Sequence, residues 1–327
     1  MNSQDGGPVS KAHGRISVRG QARVIKSCVA TFFLFVGVSY ASPASFYQDW
    51  SDGQAELSGY QLEQPRYGQM RAGQAILIYV TEPFSRKKRV KVDRYDPTNP
   101  DHFIALKLNF VRRFQTGVYD YAVMTSLFAD PGQSMRTVKQ TFSSQEWCGQ
   151  VYEELLFDAK AVQIDTRSYF EGESERTILK TIDASTIDSL WITARGLTTG
   201  GPKAAAGVKD MIGSSVIRRL QHLPPRIFSS QARWLAAPTR VKTRAGEFEV
   251  KTLVYTRQDQ IQCRLDVELA KPYRIIGWRC ADGERATLTG STRLAYWTRA
   301  RLGDESLLKD LGLAPMSPET PSLSPAK

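Results

Sequence analysis

Between Gln74 and Phe170 the hydrophobic pattern has a period of two, the period of half-buried strands. Ala75-Ile-Leu-Ile-Tyr-Val-Thr81 is apolar on both faces, as in a central strand. Arg89 to Asp93 alternates, and Ile104 to Phe110 does so clearly, with Ile104, Leu106, Leu108 and Phe110 on one face. Gln115-Thr116-Gly117 makes a tight turn into Val118 to Met124. Thr137 to Ser143, Gly149 to Phe157 and Ala161 to Phe170 continue the series. A spacing of roughly a dozen residues is the rhythm of an antiparallel meander.

The flanking stretches read differently. Ser45 to Gly73, with Trp50, Leu57, Tyr60 and Tyr67 among four glycines, predicts a short helix or loop and then turns. Asp183 to Trp191 has a cap and a helical spacing of Ile187, Leu190 and Trp191. Lys203 to Leu220 places Val208, Met211, Ile212, Val216 and Leu220 on one helical face, and Pro224-Pro225 ends it. The strand rhythm returns from Thr239 to Thr243, Phe248 to Tyr255, Ile261 to Leu269 and Tyr273 to Cys280. Ala286 to Thr289, Thr292 to Trp297 and a short helix from Glu305 to Leu311 complete the pattern.

These elements predict a β-rich α+β fold: a mainly antiparallel curved sheet or partial barrel with a helical connector across it. Residues 45–313 form either one β-rich domain or two β halves, about 45–180 and 230–313, joined by the helical segment 181–225. Residues 314–327 carry four prolines among small polar residues and predict a disordered tail.

The first 44 residues have the three parts of a signal sequence. Basic residues Lys11, Arg15, Arg19, Arg23 and Lys26 precede an apolar run, Cys28 to Val38, and then the small residues Ser39-Tyr-Ala41 and Ser42-Pro-Ala44. The run is shorter than the ~20 residues of a spanning helix, so cleavage is expected over anchoring. Cys28 opens the apolar run rather than following it, which does not suit lipid attachment. Export to the periplasm, with association to the membrane left open, is therefore expected.

An oxidising destination changes how the cysteines read. Cys148, Cys263 and Cys280 follow the leader. A hairpin centred on Lys271-Pro272 pairs position n with 543−n and sets Cys263 opposite Cys280, within disulfide reach. Cys148 is left over, by default a buried inert thiol.

Removing the leader takes away five basic residues and one acid and leaves a formal +7. The charge is diffuse apart from Arg86-Lys87-Lys88-Arg89. In an exported protein, anionic head groups or acidic glycans are more natural partners than nucleic acid. That basic run is either a contact for a membrane surface or a solvated turn or edge.

Familiar catalytic devices are missing. His102 and His222 follow the leader, and neither lies in a triad context; no serine occupies a Gly-x-Ser-x-Gly elbow. No His/Cys cluster has metal spacing, so no metal or cofactor is expected. Carboxylates act without local motifs, which keeps Asp49, Asp52, Glu56 and Glu146 as candidates, while Glu171 to Glu175 reads as a solvated turn. Six tryptophans, with Tyr119, Tyr121, Tyr273 and Tyr296, fall mostly on predicted strands and suit a core or an apolar or glycan site.

Several blocks point to one group of proteins. Trp50-Ser-Asp-Gly-Gln-Ala-Glu-Leu-Ser-Gly-Tyr60, Pro65-Arg-Tyr-Gly68, Leu106-Lys-Leu-Asn109, Arg113-Phe-Gln-Thr-Gly-Val-Tyr-Asp-Tyr121, Phe142-Ser-Ser-Gln-Glu-Trp-Cys-Gly149 and Leu288-Thr-Gly-Ser-Thr-Arg-Leu-Ala-Tyr-Trp297 are its carriers. On them the chain resembles the uncharacterised exported proteins and lipoproteins of Gram-negative bacteria that share these blocks. The resemblance implies an envelope location and no established activity. A septum-formation-inhibitor label attached to some members belongs to cytoplasmic nucleotide pyrophosphatases, a different class from an exported β-rich chain. The lipobox cysteine frequent in that group is absent here.

The block residues Glu56, Arg66, Arg113, Gln145, Glu146 and Trp147 are the candidate ligand-binding positions. The leading expectation is a non-catalytic envelope protein that binds a lipid-like or glycan ligand or supports the envelope. The alternatives are a carboxylate-dependent envelope hydrolase and a module that docks another envelope protein.

Overall fold

The structure, a computed structural model, describes residues 43–203, 207–258 and 260–315. The leader, apart from its last two residues, and the tail from residue 316 lie outside them. A helix, α1 (Pro43–Trp50), opens the fold and is followed by the meander β1 (Ala55–Arg66), β2 (Gln69–Ser85), β3 (His102–Thr116), β4 (Tyr119–Asp130), β5 (Arg136–Glu146), β6 (Gly149–Phe157), β7 (Ala161–Ser168) and β8 (Arg176–Lys180). A connector follows, with β9 (Ser185–Thr186), α2 (Leu190–Thr193), β10 (Gly207–Ile212) and α3 (Ser215–Gln221). Then come β11 (Ile227–Trp234), β12 (Thr239–Thr243), β13 (Gly246–Arg257), β14 (Gln260–Glu268), β15 (Ile275–Cys280) and β16 (Arg285–Leu294).

All sixteen strands belong to one sheet, in the order β8-β7-β6-β5-β4-β3-β2-β1-β16-β15-β14-β13-β11-β10-β9, with β12 on β13. The β1–β16 pairing is antiparallel and fuses the two runs of strands. β8 and β9 stand at opposite ends of the sheet, yet only residues 181–184 separate them in the chain. The five Cα–Cα steps from Lys180 to Ser185 reach at most ~18 Å, so the sheet curls until its unjoined edges approach each other. Among the described residues no helix is long and apolar enough to cross a membrane.

The concave side holds the main core. Tyr60 and Trp278 pack at 4.9 Å, Phe110 lies 5.3 Å from Trp278 and 5.4 Å from Trp191, and Trp191 meets Trp278 edge-on. Trp191 comes from α2, so the connector fills the curl from inside. Two buried hydroxyls of this core have partners: Tyr60 donates to the Ile275 carbonyl at 2.7 Å and Tyr79 to that of Trp191 at 2.6 Å. On the convex side Gly59 and Gly290 face each other across β1 and β16. A Cβ on Gly290 would stand 2.2 Å from the Asp310 carbonyl oxygen, and one on Gly59 2.4 Å from that of Leu311. The paired glycines form a notch into which the 3₁₀ segment Asp304–Leu311 settles.

The cysteine hairpin has the register expected of it. Cys263 opposes Cys280, Arg264 Arg279, Leu265 Trp278 and Asp266 Gly277, after which a bulge shifts the pairing to Val267 and Ile275. Cys263 and Cys280 form a disulfide, with Cα atoms 4.0 Å apart.

Other expectations are corrected. Residues 55–66 form a twelve-residue strand rather than turns, because its inward side carries the buried polar residues Glu56, Ser58 and Gln64 and so hides the alternation. Lys203 to Leu220 is not one helix: Gly207–Ile212 pairs with β11, and Gly213-Ser214 separates it from α3. Pairing at the sheet end overrides a spacing that suits a helix. Asp183 to Trp191 is two residues of strand and a 3₁₀ turn running into the four-residue α2. Arg89 to Asp93 contributes a single bridge, Phe84 to Lys91. Ala286 to Trp297 is mostly one strand, since Gly290 serves the notch and not a break. Cys148 is exposed at a hairpin tip rather than buried.

Candidate functional site

Three hairpin turns lie side by side at one end of the sheet. Arg66 pairs with Gln69, Thr116 with Tyr119 and Glu146 with Gly149, so each turn has two residues. Their apices are Tyr67-Gly68, Gly117-Val118 and Trp147-Cys148. Gly68 at φ +70° and Gly117 at φ +64° supply the left-handed backbone such turns need. Residues Pro65–Gly68, Arg113–Tyr121 and Phe142–Gly149 converge here, although nothing local in the sequence places them together.

Helix α3 lies beneath these tips on the concave side. Val216 packs with Phe114, Tyr121, Val123, Phe142 and Val151, while Ile217 and Leu220 add to the same cluster. Polar contacts fasten it as well. Asp188 accepts from the Ser215 amide at 3.0 Å, from Ser214 at 2.7 Å and from Gln140 at 2.9 Å, all buried. Glu153 of β6 takes two bonds from Arg218, at 2.8 and 2.5 Å, and a third from the Ser215 hydroxyl at 2.7 Å. Glu146 at the β5 tip meets Arg219 at 3.4 Å. Glu173, in the loop between β7 and β8, meets His222 Nδ1 at 2.5 Å. Two arginines and the histidine that caps α3 are thus matched by three carboxylates from three elements. Burial raises the Glu173 carboxyl, but bonds from His222 and Ser168 and the charges of His222 and Arg219 outweigh it and hold it below the usual range.

A cleft of about 250 Å³ opens between α3, the inner faces of β5 to β7 and that loop. Phe142 and Val151 supply apolar lining, and Glu153, Thr166, Glu173, Glu175, Ser215, Arg219 and His222 the polar groups. Arg219 is its distinctive member. Its side chain is 3% exposed and its guanidinium sits 4.1 Å over the Phe170 ring, yet Nε and Nη1 have no hydrogen-bond partner. A buried N–H without an acceptor costs about 1–3 kcal/mol, which a hydrogen-bonding ligand would remove.

Arg66 closes the neighbouring side. It donates to the Leu220 carbonyl at 2.6 Å and to the Tyr121 hydroxyl at 3.2 and 3.0 Å. Tyr119 donates to Tyr67, whose hydroxyl lies 3.1 Å from that of Tyr121, and Trp147 lies 6.3 Å from Tyr119. Outside, on the convex face, an open groove of about 680 Å³ is lined by Gln145, Gln150, Arg167 and Tyr169 among others.

Five of the six candidate positions therefore gather at this end. Arg66 and Glu146 anchor α3, Trp147 is an exposed tip, and Arg113 and Gln145 are exposed on the convex side. Glu56 does not join them. It lies in the core, where Arg195 of the connector meets it at 2.9 Å and also donates to the carbonyls of Pro272 and Tyr273. Asp49 and Asp52 bind Lys271 and Arg293 at that other region, so the carboxylate candidates do not form one cluster. The basic run at Arg86 is a turn in which Arg86 pairs with Asp130 and Arg89 with Asp158. Hydrogen bonding to Glu146 and its charge raise the Cys148 thiol. Among the described residues no group of His, Cys, Asp and Glu is placed to hold a metal.

Sequence reasoning missed Glu153, Glu173, Arg218 and Arg219, and set His222 aside. The one local signal was Arg218-Arg219 near a helix end ahead of Pro224-Pro225.

No family model matches the chain, and no curated protein matches it. Among solved structures it is similar to a beta-barrel-like protein of a domain of unknown function, DUF1849, from Brucella abortus. The identity is 10%, the match covers 74% of this chain and 97% of that one, and the TM-score is 0.44.

Proposed function

We propose that this chain is a non-catalytic cell-envelope protein that holds a small, polar, glycan-like ligand in the cleft beside α3. The observation that carries the reading is Arg219, buried in the cleft lining with two N–H groups that lack acceptors. Sugar hydroxyls both donate and accept, so one ring could satisfy Arg219 and the surrounding Glu173, Glu175, Ser215 and Thr166. Its C–H face would rest on Phe142. An acyl chain fits the same cleft poorly, because it would strip these groups of water with nothing in return. The aromatic core meanwhile fills the middle of the concave face.

Binding is favoured over hydrolysis by the carboxylates' partners. A glycosidase needs one acid that keeps its proton, and an adjacent arginine favours the charged form. Glu173, a carboxyl of the cleft, is held below the usual range, the opposite of what that acid requires. Export forms part of the reading. It rests on the leader, and the Cys263–Cys280 bridge suits an oxidising compartment.

Calorimetric titration with a panel of soluble envelope oligosaccharides tests this. The parent binds, and Arg219→Lys, which keeps the charge but loses the directed pair of N–H groups, binds about tenfold or more weakly. A parent that binds none of the panel, or a variant that binds equally well, contradicts the proposal.

A further inference from the structure

The hairpin tips carry a feature that the cleft does not use. Each apex presents one large apolar side chain to solvent: Tyr67 is 57% exposed, Val118 80% and Trp147 73%. They form one ridge. Tyr119 bonds to Tyr67 and lies against Trp147, so the three tips are bridged by side-chain contacts. Neighbouring strands lie ~4.8 Å apart, which puts successive tips about 10 Å from one another along the sheet end. Met70, 45% exposed, extends the apolar character behind Tyr67.

We propose that this ridge is a membrane-contact edge that seats the tips in the head-group region of an anionic bilayer. Three facts favour a lipid surface over a soluble partner. First, the apolar groups stand on convex turn apices, a shape that enters an interface and does not enclose a ligand. Second, the ridge mixes Trp and Tyr, the residues of membrane–water interfaces, with Val118 and Met70, whose aliphatic groups add nothing to sugar stacking. Third, the charge on the three tips suits anionic head groups. Residues 66–71, 113–120 and 146–149 carry three arginines against two acids, with Arg66 and Glu146 both turned inward. The surface differs from the basic turn at Arg86 to Arg89, two of whose cations are paired with acids. It is also independent of the cleft's ligand.

Tryptophan quenching tests it on the full chain, because the leader contains no tryptophan. Vesicles of phosphatidylethanolamine and phosphatidylglycerol with brominated acyl chains are added, and the loss of fluorescence is read. The parent is quenched. Trp147→Phe, which leaves an apolar side chain at the tip, loses most of that quenching, whereas Trp297→Phe keeps it. Tyr67→Ser with Val118→Ser raises the lipid concentration at half-binding by about tenfold or more. Vesicle binding through the leader alone leaves Trp147 unquenched and overturns the proposal. Equal quenching in Trp147→Phe, no quenching in the parent, or an effect of the tip variants on oligosaccharide binding without one on vesicles also overturns it.

Discussion

Arg218 of α3 grips Glu153 of β6 with two hydrogen bonds, and neither side chain is more than 8% exposed. The pair joins the connector to the sheet and forms one wall of the cleft. Removing one member of such a pair strands a buried charge, at a cost of about 3–5 kcal/mol. Glu153→Leu should lower the free energy of unfolding by that order, measured by chemical denaturation. Adding Arg218→Met should recover part of the loss, since an apolar pair of similar size restores packing. A single variant that loses less than about 1 kcal/mol would show that α3 is not held this way.

The acid limb of the stability curve should carry a contribution from Glu173. Its folded pKa lies below its unfolded one, so its stabilisation is present above the ordinary glutamate value of about 4.3 and disappears as pH falls through the lower folded value. Burial pushes Glu284 the other way, beside Arg112, so its share of stability declines as pH rises. Glu173→Gln should therefore flatten the loss of stability on acidification. An unchanged acid limb would contradict the role given to the His222 contact.

The disulfide spans seventeen positions and cross-links neighbouring strands. Closing a loop of about that length removes roughly 3 kcal/mol of unfolded-state freedom. The double variant Cys263→Ala, Cys280→Ala should lose about that much stability, and adding reductant to it should have no further effect. If reductant destabilises parent and double variant alike, the bridge is not the cause.

At the convex notch, Gly290→Ala puts a methyl group against the backbone at Asp310 and Leu311. Overpacking of this kind costs about 1–3 kcal/mol. It should also lift Asp304–Leu311 from the sheet, which limited tryptic cleavage at Arg299 and Arg301 would reveal. Parental stability with unchanged cleavage would contradict the notch.

Much of the fold was legible because alternation survives wherever the inward residues are apolar, as in Leu106, Leu108 and Phe110. It failed at Ala55–Arg66 because buried Glu56, Ser58 and Gln64 look like solvent-facing residues until Arg195 and the other strands are in place. The cysteine register was legible since a hairpin is local. The cleft was not. Glu146, Glu153 and Glu173 lie 73, 65 and 49 residues from their partners on α3 and its cap. Glu173 also sits in an acidic run that reads as a solvated turn. Of the positions singled out beforehand, Arg66 and Glu146 touch α3, and Glu56 serves the core.

A polar, glycan-like ligand in the cleft is tested most directly by native mass spectrometry of the protein recovered from its own cells. The reading predicts a retained species with the mass of a saccharide, absent from the Arg219→Lys variant prepared in the same way. Bare protein, or a retained fatty-acyl mass indifferent to that substitution, would contradict it.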